Sequence, residues 1–281
     1  MLNVKILSVN KFSFESLSKY NFNQTNMNKK SYLARIGIEE TDVAADLESL
    51  KLLQRQHLLT VPFENLDIHW RRPIILNDNC FYNKVVGEKR GGFCYELNGL
   101  FYELLKEIGF QNKIISARVS KGDGDFGAEY DHLAIITQIG SDEYLVDVGF
   151  GSFTAEPLKF AVDVEQQDDN GVFLIRKYDD SYFEVIKKTG DDAWQSEYIF
   201  TPLGRDLMKF SEMCQFHQTS PESHFTRGKV CSLLTLDGRK TLTDGKFIET
   251  VNGEKKEITV DSAEQFNKIL AREFYIKPNI Q

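Results

Sequence analysis

The clearest hydrophobic pattern in the chain is the one that follows Cys94. Apolar side chains recur there at intervals of three and four residues, so they would share one face of a helix. The members of this face are Leu97, Leu100, Phe101, Leu104, Leu105 and Ile108. Gly109 comes directly after them, as is typical of a helix end. The pattern predicts an amphipathic helix from Cys94, give or take a residue or two, to Ile108.

The middle of the chain has a different pattern, with short runs of β-branched and aromatic residues between Gly, Asp and Asn. Such runs are typical of β-strands. The predicted strands are 113–119, 133–139, 143–148, 172–177, 182–186 and 197–200. Because Gly140 separates the second run from the third, we expect these two strands to form a hairpin.

Helical periodicity dominates before this region. A helix capped by Asp42 or Asp46 is expected to run to about Leu59. Thr60-Val61-Pro62 ends it, because proline disfavours the helical state in the preceding residue. Residues 1–26 are rich in Asn, Ser, Lys and Phe and have no sustained period. They are expected to be either a poorly ordered extension or the product of a mis-called start, with Met27 as the true start.

The last third of the chain is mixed. Helical spacing follows Pro202-Leu203-Gly204 and recurs over residues 262–274, with turn dipeptides between these two segments. The dipeptides are Asp237-Gly238, Asp244-Gly245 and Asn252-Gly253. Each is a hairpin signal, because both residue types tolerate the positive φ that tight hairpin turns require. We therefore expect a series of hairpins between two helices.

Composition and charge exclude several classes of function. The chain has 281 residues and a mass of 32.3 kDa, enough for one large domain or two to three small ones. A net charge of −8 and a pI near 5.3 give no support for nucleic-acid binding, which needs a basic face. No run approaches the roughly 18 apolar residues of a membrane-spanning helix, and no signal-peptide core opens the chain. The expectation is a cytoplasmic enzyme.

The four cysteines of the chain do not form a recognisable metal or disulfide pattern. None of them belongs to a C-x-x-C pair, so neither a zinc site nor a disulfide framework is expected. In a reducing cytoplasm all four would be free thiols. We interpret Cys80, Cys214 and Cys231 as packed small hydrophobes, the usual role of a buried cysteine.

Cys94 differs from the other three because it occupies the predicted start of the long helix. Unpaired N–H groups and the positive end of the helix dipole meet at such a start. Both favour the thiolate, which is the nucleophilic form of cysteine. Gly91 and Gly92 just before it permit a tight turn and the close approach of a substrate. Cys94 is therefore the candidate nucleophile.

A candidate base and a candidate orienting carboxylate follow in chain order. His132 lies 38 positions after Cys94, and Asp147 lies 15 positions further on. Counted outward from Gly140 the two are 8 and 7 residues away, so a plain hairpin would pair them closely. The order Cys, His, Asp suits nucleophilic catalysis. These three residue types also occur by chance in most chains of this length, so structural roles stay open.

Several blocks of the sequence resemble one known family. Arg90-Gly91-Gly92-Phe93-Cys94-Tyr95-Glu96 closely resembles the R-G-G-x-C-x-E signature of arylamine N-acetyltransferases. Val61-Pro62-Phe63-Glu64-Asn65-Leu66 resembles the V-P-F-E-N-L segment that precedes it in the family. The other similar blocks are Asp131-His132, Val146-Asp147-Val148-Gly149-Phe150-Gly151 and Ser220-Pro221-Glu222-Ser223-His224-Phe225. The blocks follow the family's order, and the similarity covers about residues 27–281.

The resemblance implies an α+β fold on a papain-like or transglutaminase-like cysteine-enzyme scaffold. Its three parts would be a helical bundle at 27–110, a β-barrel at 111–203 and an α/β lid at 204–281. It also implies ping-pong transfer of acetyl from acetyl-CoA, the co-substrate, to a small aromatic amine or hydrazine, without a metal. By this likeness Cys94 is acetylated, His132 is the base and Asp147 orients it.

Other residues near the signature receive supporting roles. The backbone N–H groups of Cys94 or Tyr95 are candidates for an oxyanion hole. We expect Arg90 and Glu96 to brace the turn as an ion pair. The candidate apolar walls for a flat aromatic substrate are Phe93, Phe126 and Phe150. Plain core packing is an equally good interpretation of these three rings.

Two other functions remain open for the same residues. One is a thiol hydrolase or amidase, in which water rather than an amine takes the acyl group. The other is a non-catalytic binding module with an unreactive Cys94. Neither nucleic acid nor a membrane is expected as a partner. The sequence assigns no preferred amine, no coenzyme A contacts and no oligomeric state.

Overall fold

A computed structural model describes residues 27–39, 42–151, 153–190 and 193–277. The prediction for residues 1–26 lies outside these ranges. Within them the α-helices are α1 (Lys29–Arg35), α2 (Leu47–Thr60), α3 (Leu66–His69), α4 (Asp78–Tyr82), α5 (Cys94–Ile108), α6 (Ser211–Thr219) and α7 (Ala263–Glu273). A π-helical turn covers Asn83–Gly87, and 3-10 turns cover Leu207–Phe210 and His224–Thr226. No helix in the described ranges is long and apolar enough to cross a bilayer.

The strands form two antiparallel sheets. In order of hydrogen-bonded neighbours, the larger sheet contains β5 (Leu158–Lys159), β4 (Asp142–Val146), β3 (His132–Ile139), β2 (Gln111–Val119), β9 (Trp194–Phe200), β8 (Phe183–Lys188), β7 (Gly171–Lys177) and β6 (Gln166–Asp168). The smaller sheet contains β1 (Phe63–Glu64), β10 (Val230–Thr235), β11 (Gly238–Thr243), β12 (Lys246–Val251) and β13 (Glu254–Thr259). Strand β1 thus ties the N-terminal helical region to the sheet of the last third.

Helix α5 has the predicted bounds, and local interactions explain both of its ends. The Glu96 carboxylate accepts a hydrogen bond from the Phe93 backbone N–H at 3.1 Å, which satisfies a donor at the N-terminus. Gly109 ends the helix with a φ of 113°. Gly99 inside the helix has a packing reason, because a Cβ there would lie 2.9 Å from the ring of Phe81.

The apolar face of α5 lies at the centre of the main core. It packs against α1 and α2 on one side and against the outer faces of β3 and β4 on the other. The buried members of this core include Leu33, Leu53, Leu97, Leu100, Phe101, Leu104, Ile135 and Val146. The helix that begins at Cys94 is therefore held firmly against the strand that begins at His132.

The eight-stranded sheet curls around a second core. Its buried cluster includes Ile115, Ile136, Leu145, Leu158, Phe173, Val185 and Phe200. These side chains come from β5 at one edge of the sheet, from β7 next to the other edge and from strands between them. Since strands from both sides of the sheet reach one cluster, the sheet is barrel-like.

The smaller sheet packs against α7. Their shared core includes Leu66, Cys231, Leu242, Phe247, Phe266 and Leu270. Asp244-Gly245 forms the turn between β11 and β12, and Asn252-Gly253 forms the turn between β12 and β13, as predicted. The turn between β10 and β11 consists of Leu236 and Asp237, with Gly238 already in β11.

The strands expected from the sequence all occur, as β2, β3, β4, β7, β8 and β9, with ends shifted by one to three residues. The helix expected after Gly204 begins with a 3-10 turn and continues as α6. The shorter elements α1, α3, α4, β1, β5 and β6 were not predicted. They contain too few residues for a periodic pattern to be visible.

Candidate active site

Cys94 is the first residue of α5, and its position depends on the turn before it. Gly92 accepts a hydrogen bond from the Glu64 backbone N–H at 2.8 Å and donates one to the Pro62 carbonyl at 3.3 Å. A Cβ at Gly91 would lie 1.9 Å from that same carbonyl oxygen, so this position accepts only glycine. The turn is thereby held against β1, and the cysteine enters the helix at a defined place.

His132 and Asp147 form a close hydrogen-bonded pair. Their Nε2 and Oδ2 atoms are 2.6 Å apart, and both side chains are buried. The hairpin register pairs Ile135 with Val146, so Asp147 lies diagonally from His132 rather than directly opposite. Both side chains nevertheless face the same side of the sheet, because side chains alternate along a strand. The expected closeness is correct, although the register behind it differs by two residues.

Asn98 joins the three segments that carry these residues, and sequence reasoning missed it. It lies one turn after Cys94 in α5 and donates hydrogen bonds to the Leu133 carbonyl at 2.6 Å and to Asp147 Oδ1 at 2.8 Å. Its own oxygen accepts the Val148 N–H at 2.8 Å. The sequence feature that could have identified Asn98 is its spacing of four residues from Cys94, which places both on the same helical face.

Tyr198 is a second residue that sequence reasoning missed. Its hydroxyl donates to Asp147 Oδ2 at 3.3 Å, and its ring centroid lies 5.5 Å from that of His132. Strand β9 supplies this side chain from about 50 residues further along the chain. No local pattern links such a distant tyrosine to the site, so only the barrel brings it there.

Burial raises the pKa of the Cys94 thiol well above its usual range. The carboxylates of Asp131 and Asp147 raise the pKa further, and a hydrogen bond from the Leu133 backbone lowers it in part. This direction opposes the effect expected from the helix start alone. Burial and the helix start therefore act on this thiol in opposite directions.

Cys94 and His132 line the same cavity, which has a volume of about 770 Å³. Phe150, Phe225 and His224 also line it. The Phe225 and His224 rings make a tilted contact with their centroids 3.9 Å apart, and burial lowers the pKa of His224. A cavity of this volume with aromatic walls suits a small flat molecule next to the thiol.

Comparison with known proteins fits this geometry. A family model described as N-acetyltransferase matches residues 46–280. The arylamine N-acetyltransferase pineal gland isozyme NAT-3 of Gallus gallus is 30% identical, over 89% of this chain and 94% of the relative. The chain belongs to the arylamine N-acetyltransferase family. It is therefore an acetyltransferase.

Solved structures of arylamine N-acetyltransferases have the same fold. That of the Mycobacterium marinum enzyme in complex with CoA superposes with a TM-score of 0.82 at 27% identity, over 89% of this chain and 93% of the other. That of a Bacillus cereus enzyme, described with a Cys-His-Glu catalytic triad, has a TM-score of 0.82 at 28% identity, over 90% and 100%. The present chain has Asp147 beside its histidine. The predicted α+β fold class and family are confirmed.

The three phenylalanines proposed as arylamine walls lie in different surroundings. Phe150 lines the cavity and packs edge-on against His132, with ring centroids 5.1 Å apart. Phe93 is fully buried and packs edge-on against Tyr95 at 5.0 Å. Phe126 packs against Tyr178 at 5.2 Å. Of the three, the cavity lining includes only Phe150.

Behind the signature turn of this acetyltransferase lies a buried charge cluster of Glu64, Asp67, Lys84, Arg90 and Glu96. The predicted ion pair between Arg90 and Glu96 is wrong. Arg90 instead binds Asp67 at 2.5 Å and Glu64 at 2.6 Å, while Glu96 binds Lys84 at 2.8 Å. Lys84, on the π-helical turn, competes for Glu96, and sequence spacing could not reveal which cation each carboxylate meets.

The charge cluster contains three carboxylates and two cations, so one carboxylate is uncompensated when all are ionised. Burial raises the pKa of Glu96 to about 7, although Lys84 opposes the shift. Burial alone would lower the pKa of Lys84, but the carboxylates of Glu64, Glu96 and Asp67 outweigh it and raise the pKa. The excess charge is therefore relieved at Glu96, by partial protonation near neutral pH.

Two cations at the rim of the Cys94 cavity suit a phosphorylated co-substrate. Arg227 and Lys229 both line the cavity, and Lys229 binds Asp244 at 2.5 Å. Guanidinium and ammonium groups are the usual protein partners of phosphate oxygens. No cluster of three or more His, Cys, Asp or Glu side chains able to hold a metal ion occurs among the described residues.

Proposed function

We propose that this enzyme transfers acetyl from acetyl-CoA to small aromatic amines or hydrazines through a thioester on Cys94. The observation that carries the proposal is the placement of one thiol, at the start of α5, in the same cavity as a histidine that is hydrogen-bonded to a buried carboxylate. The names of the relatives support the class of acceptor, and the M. marinum complex with CoA supports the donor.

In the first half-reaction, His132 removes the proton from the Cys94 sulfur. This transfer is needed because burial keeps the thiol pKa high. The thiolate then attacks the thioester carbonyl, a new S–C bond forms on Cys94, and the bond to the coenzyme A sulfur breaks. His132 returns the proton to that leaving sulfur. Asp147 holds the imidazole in one tautomer through its 2.6 Å hydrogen bond.

In the second half-reaction, an amine nitrogen attacks the acetyl group on Cys94. His132 takes the proton that the amine loses, and Cys94 leaves as thiolate and is reprotonated. The N–H groups of Cys94 and Tyr95 are proposed to bind the oxyanion in both steps. They precede the first intrahelical bonds, which run from the Glu96 and Leu97 N–H groups to the Phe93 carbonyl.

The aromatic lining has two proposed tasks in this reaction. Phe150 and Phe225 are proposed to stack on the ring of the amine and hold its nitrogen near Cys94. They also exclude water, which would otherwise hydrolyse the acetylated cysteine. Phe93, Tyr95, Arg90, Gly91, Gly92 and Glu96 are proposed to maintain the turn that presents the thiol.

The decisive experiment is to incubate the enzyme with acetyl-CoA alone and to measure intact mass and a peptide map. We expect one acetyl group on Cys94, which an added arylamine or hydrazine removes with formation of the N-acetyl product. Cys94→Ser should remain unlabelled on that peptide. Cys80→Ser should be labelled like the wild type, because Cys80 lies outside the cavity lining.

Other outcomes of this experiment favour the alternatives. A labelled Cys94 that water discharges as fast as an amine would indicate a thiol hydrolase. An unlabelled but rapidly alkylated Cys94 would indicate another acyl donor. An unlabelled Cys94 that reacts with iodoacetamide no faster than Cys80 would indicate a binding module. The division at residues 110 and 203 and the cytoplasmic location stay predictions.

A further inference from the structure

A second cavity, of about 640 Å³, lies between the barrel and the smaller sheet and is distinct from the Cys94 cavity. Residues 155, 169, 170 and 187 form its barrel side, and the β10–β11 and β12–β13 turns form its other side. Strand β10 reaches both cavities, with Val230 in the first and Leu234 in the second. Four residues of extended strand separate these positions by roughly 13 Å.

Three cationic side chains line this second cavity. They are Arg55, Lys187 and Arg239. They come from α2, β8 and β11, three elements that are distant in the sequence. The cavity also contains the carboxylates of Asp169 and Asp237. The lining thus has three cations and two carboxylates, in a chain whose net charge is −8.

The two carboxylates of the cavity are already engaged. Asp169 binds Arg55 at 2.5 Å, and Asp237 accepts a hydrogen bond from the Thr235 hydroxyl at 3.0 Å. Arg239 donates to the Ser232 hydroxyl at 3.2 Å, and no carboxylate of the described residues lies within 4 Å of its guanidinium nitrogens. A guanidinium carries five N–H donors, so most of the hydrogen-bonding capacity of Arg239 is unused by charged partners.

The guanidinium is also withdrawn from water. Arg239 is partly buried, and burial lowers its pKa to about 10. Burial also lowers the pKa of Lys187, while the Glu197 carboxylate opposes this shift and the charge of Arg239 adds to it. A desolvated guanidinium without a carboxylate partner is unfavourable. A bound anion would offset that cost at Arg239.

We propose that this cavity binds a phosphate-bearing anion, with Arg239 as its principal contact and Lys187 and Arg55 as its neighbours. A planar guanidinium presents paired donors that match the oxygens of phosphate. The volume exceeds what one inorganic phosphate needs and suits a diphosphate or a nucleotide. This cavity is distinct from the Cys94 cavity, so anion binding is tested independently of the proposed acetyl transfer.

Binding is tested by titrating the whole enzyme with inorganic pyrophosphate and with ADP, by calorimetry at low ionic strength. The variants are Arg239→Gln and Arg239→Lys, with Lys268→Gln as the control. Lys268 lies on the exposed face of α7 and outside the cavity lining, so its change removes the same charge without altering the cavity. We expect Arg239→Gln to weaken binding by about tenfold or more. Arg239→Lys should retain part of the affinity, and Lys268→Gln should match the wild type.

A second measurement, the KM for acetyl-CoA, shows whether the phosphate group belongs to the co-substrate or to another molecule. An unchanged KM in Arg239→Gln, together with weakened ADP binding, identifies a phosphorylated molecule other than the co-substrate. A KM that rises as much as the ADP dissociation constant identifies the nucleotide end of coenzyme A as the occupant. The proposal is overturned if neither probe binds at about 10 mM, or if a folded Arg239→Gln binds both as tightly as the Lys268→Gln control.

Discussion

At the scale of single residues, the hydrogen bonds of Asp147 decide how the histidine is presented. Oδ2 accepts from His132 and from Tyr198, and Oδ1 accepts from Asn98 and from the Gly149 N–H. With both oxygens engaged, the carboxylate has one orientation. The orientation of the imidazole therefore depends on groups from α5, β9 and the segment after β4.

Replacing Asp147 by Asn is expected to lower kcat by about three to four orders of magnitude, because an amide would favour the wrong tautomer of His132. The overall fold should persist, as the two side chains have nearly the same shape. Acetyl transfer to an arylamine and a circular-dichroism spectrum measure the two effects. Asp142→Asn, in the same hairpin but exposed and paired with Lys159, is the control. Near-normal turnover would assign Asp147 a structural role.

The pKa of Glu96 predicts how stability depends on pH. The folded protein holds this proton up to about pH 7, whereas an ordinary glutamate releases it near pH 4.5. Stability from this group is thus present below about pH 4.5 and is lost as pH rises through 7. The other charges that face Glu96 are Lys84, Asp67, Glu64 and Arg90.

Urea denaturation of wild type and Glu96→Gln at pH 5, 6, 7 and 8 tests this prediction. The free energy of unfolding of the wild type, relative to the variant, should fall by up to about 3 kcal/mol across this range. Titrations common to both proteins cancel in the difference. A difference that stays constant with pH would mean that Glu96 is ionised throughout.

At the scale of elements, the turn before α5 is the feature on which the thiol depends. It is held by main-chain hydrogen bonds to β1 and by the cap from Glu96, and the buried charge cluster lies beneath it. The turn allows no side chain at Gly91, because the Pro62 carbonyl fills that space. A small change of backbone here would move Cys94 relative to His132.

Gly91→Ala is expected to destabilise the fold by at least about 2 kcal/mol, because the new Cβ must displace main-chain atoms. Gly87→Ala is the matched control, since a Cβ at Gly87 meets nothing within 4 Å. Thermal and urea denaturation of the two variants give the comparison. Equal stability of the two would show that the turn is more adaptable than its packing suggests.

At the scale of the whole molecule, Asn65 connects the helical region to the 225–230 segment, which lines the Cys94 cavity. Its amide donates to the Phe225 carbonyl at 3.0 Å and to the Gly228 carbonyl at 2.9 Å. Its oxygen accepts the Val230 N–H at 2.8 Å. These three residues all line the cavity, so one side chain fixes an entire wall of it.

Asn65→Ala is expected to lower the free energy of unfolding by about 2–3 kcal/mol, since buried backbone groups lose their partner. It should also raise the KM for the amine and speed the alkylation of Cys94, because the wall loosens. Asn112→Ala, which removes one hydrogen bond to the Tyr102 carbonyl, is the control. If alkylation rates are the same in both variants, the 225–230 segment is held by other contacts.

Some structural features of this protein were predictable from the sequence and others were not. The start of α5 at Cys94, the hairpin at Gly140 and the turns at Asp244 and Asn252 were predictable, because each depends on local periodicity or local φ preferences. The nearness of His132 and Asp147 followed from the hairpin, although the diagonal register did not. Strands β5 and β6 were too short to be recognised.

Local chemistry thus determined the secondary structure, the identity of the thiol, histidine and carboxylate, and the family signature. The tertiary structure alone decided which charges meet, since Lys84 rather than Arg90 reaches Glu96. It alone brought Asn98 and Tyr198 to Asp147, and it placed Phe150 rather than Phe93 on the cavity. It also set burial against the helix start at Cys94, because burial is a property of the whole fold and raises the pKa of the thiol.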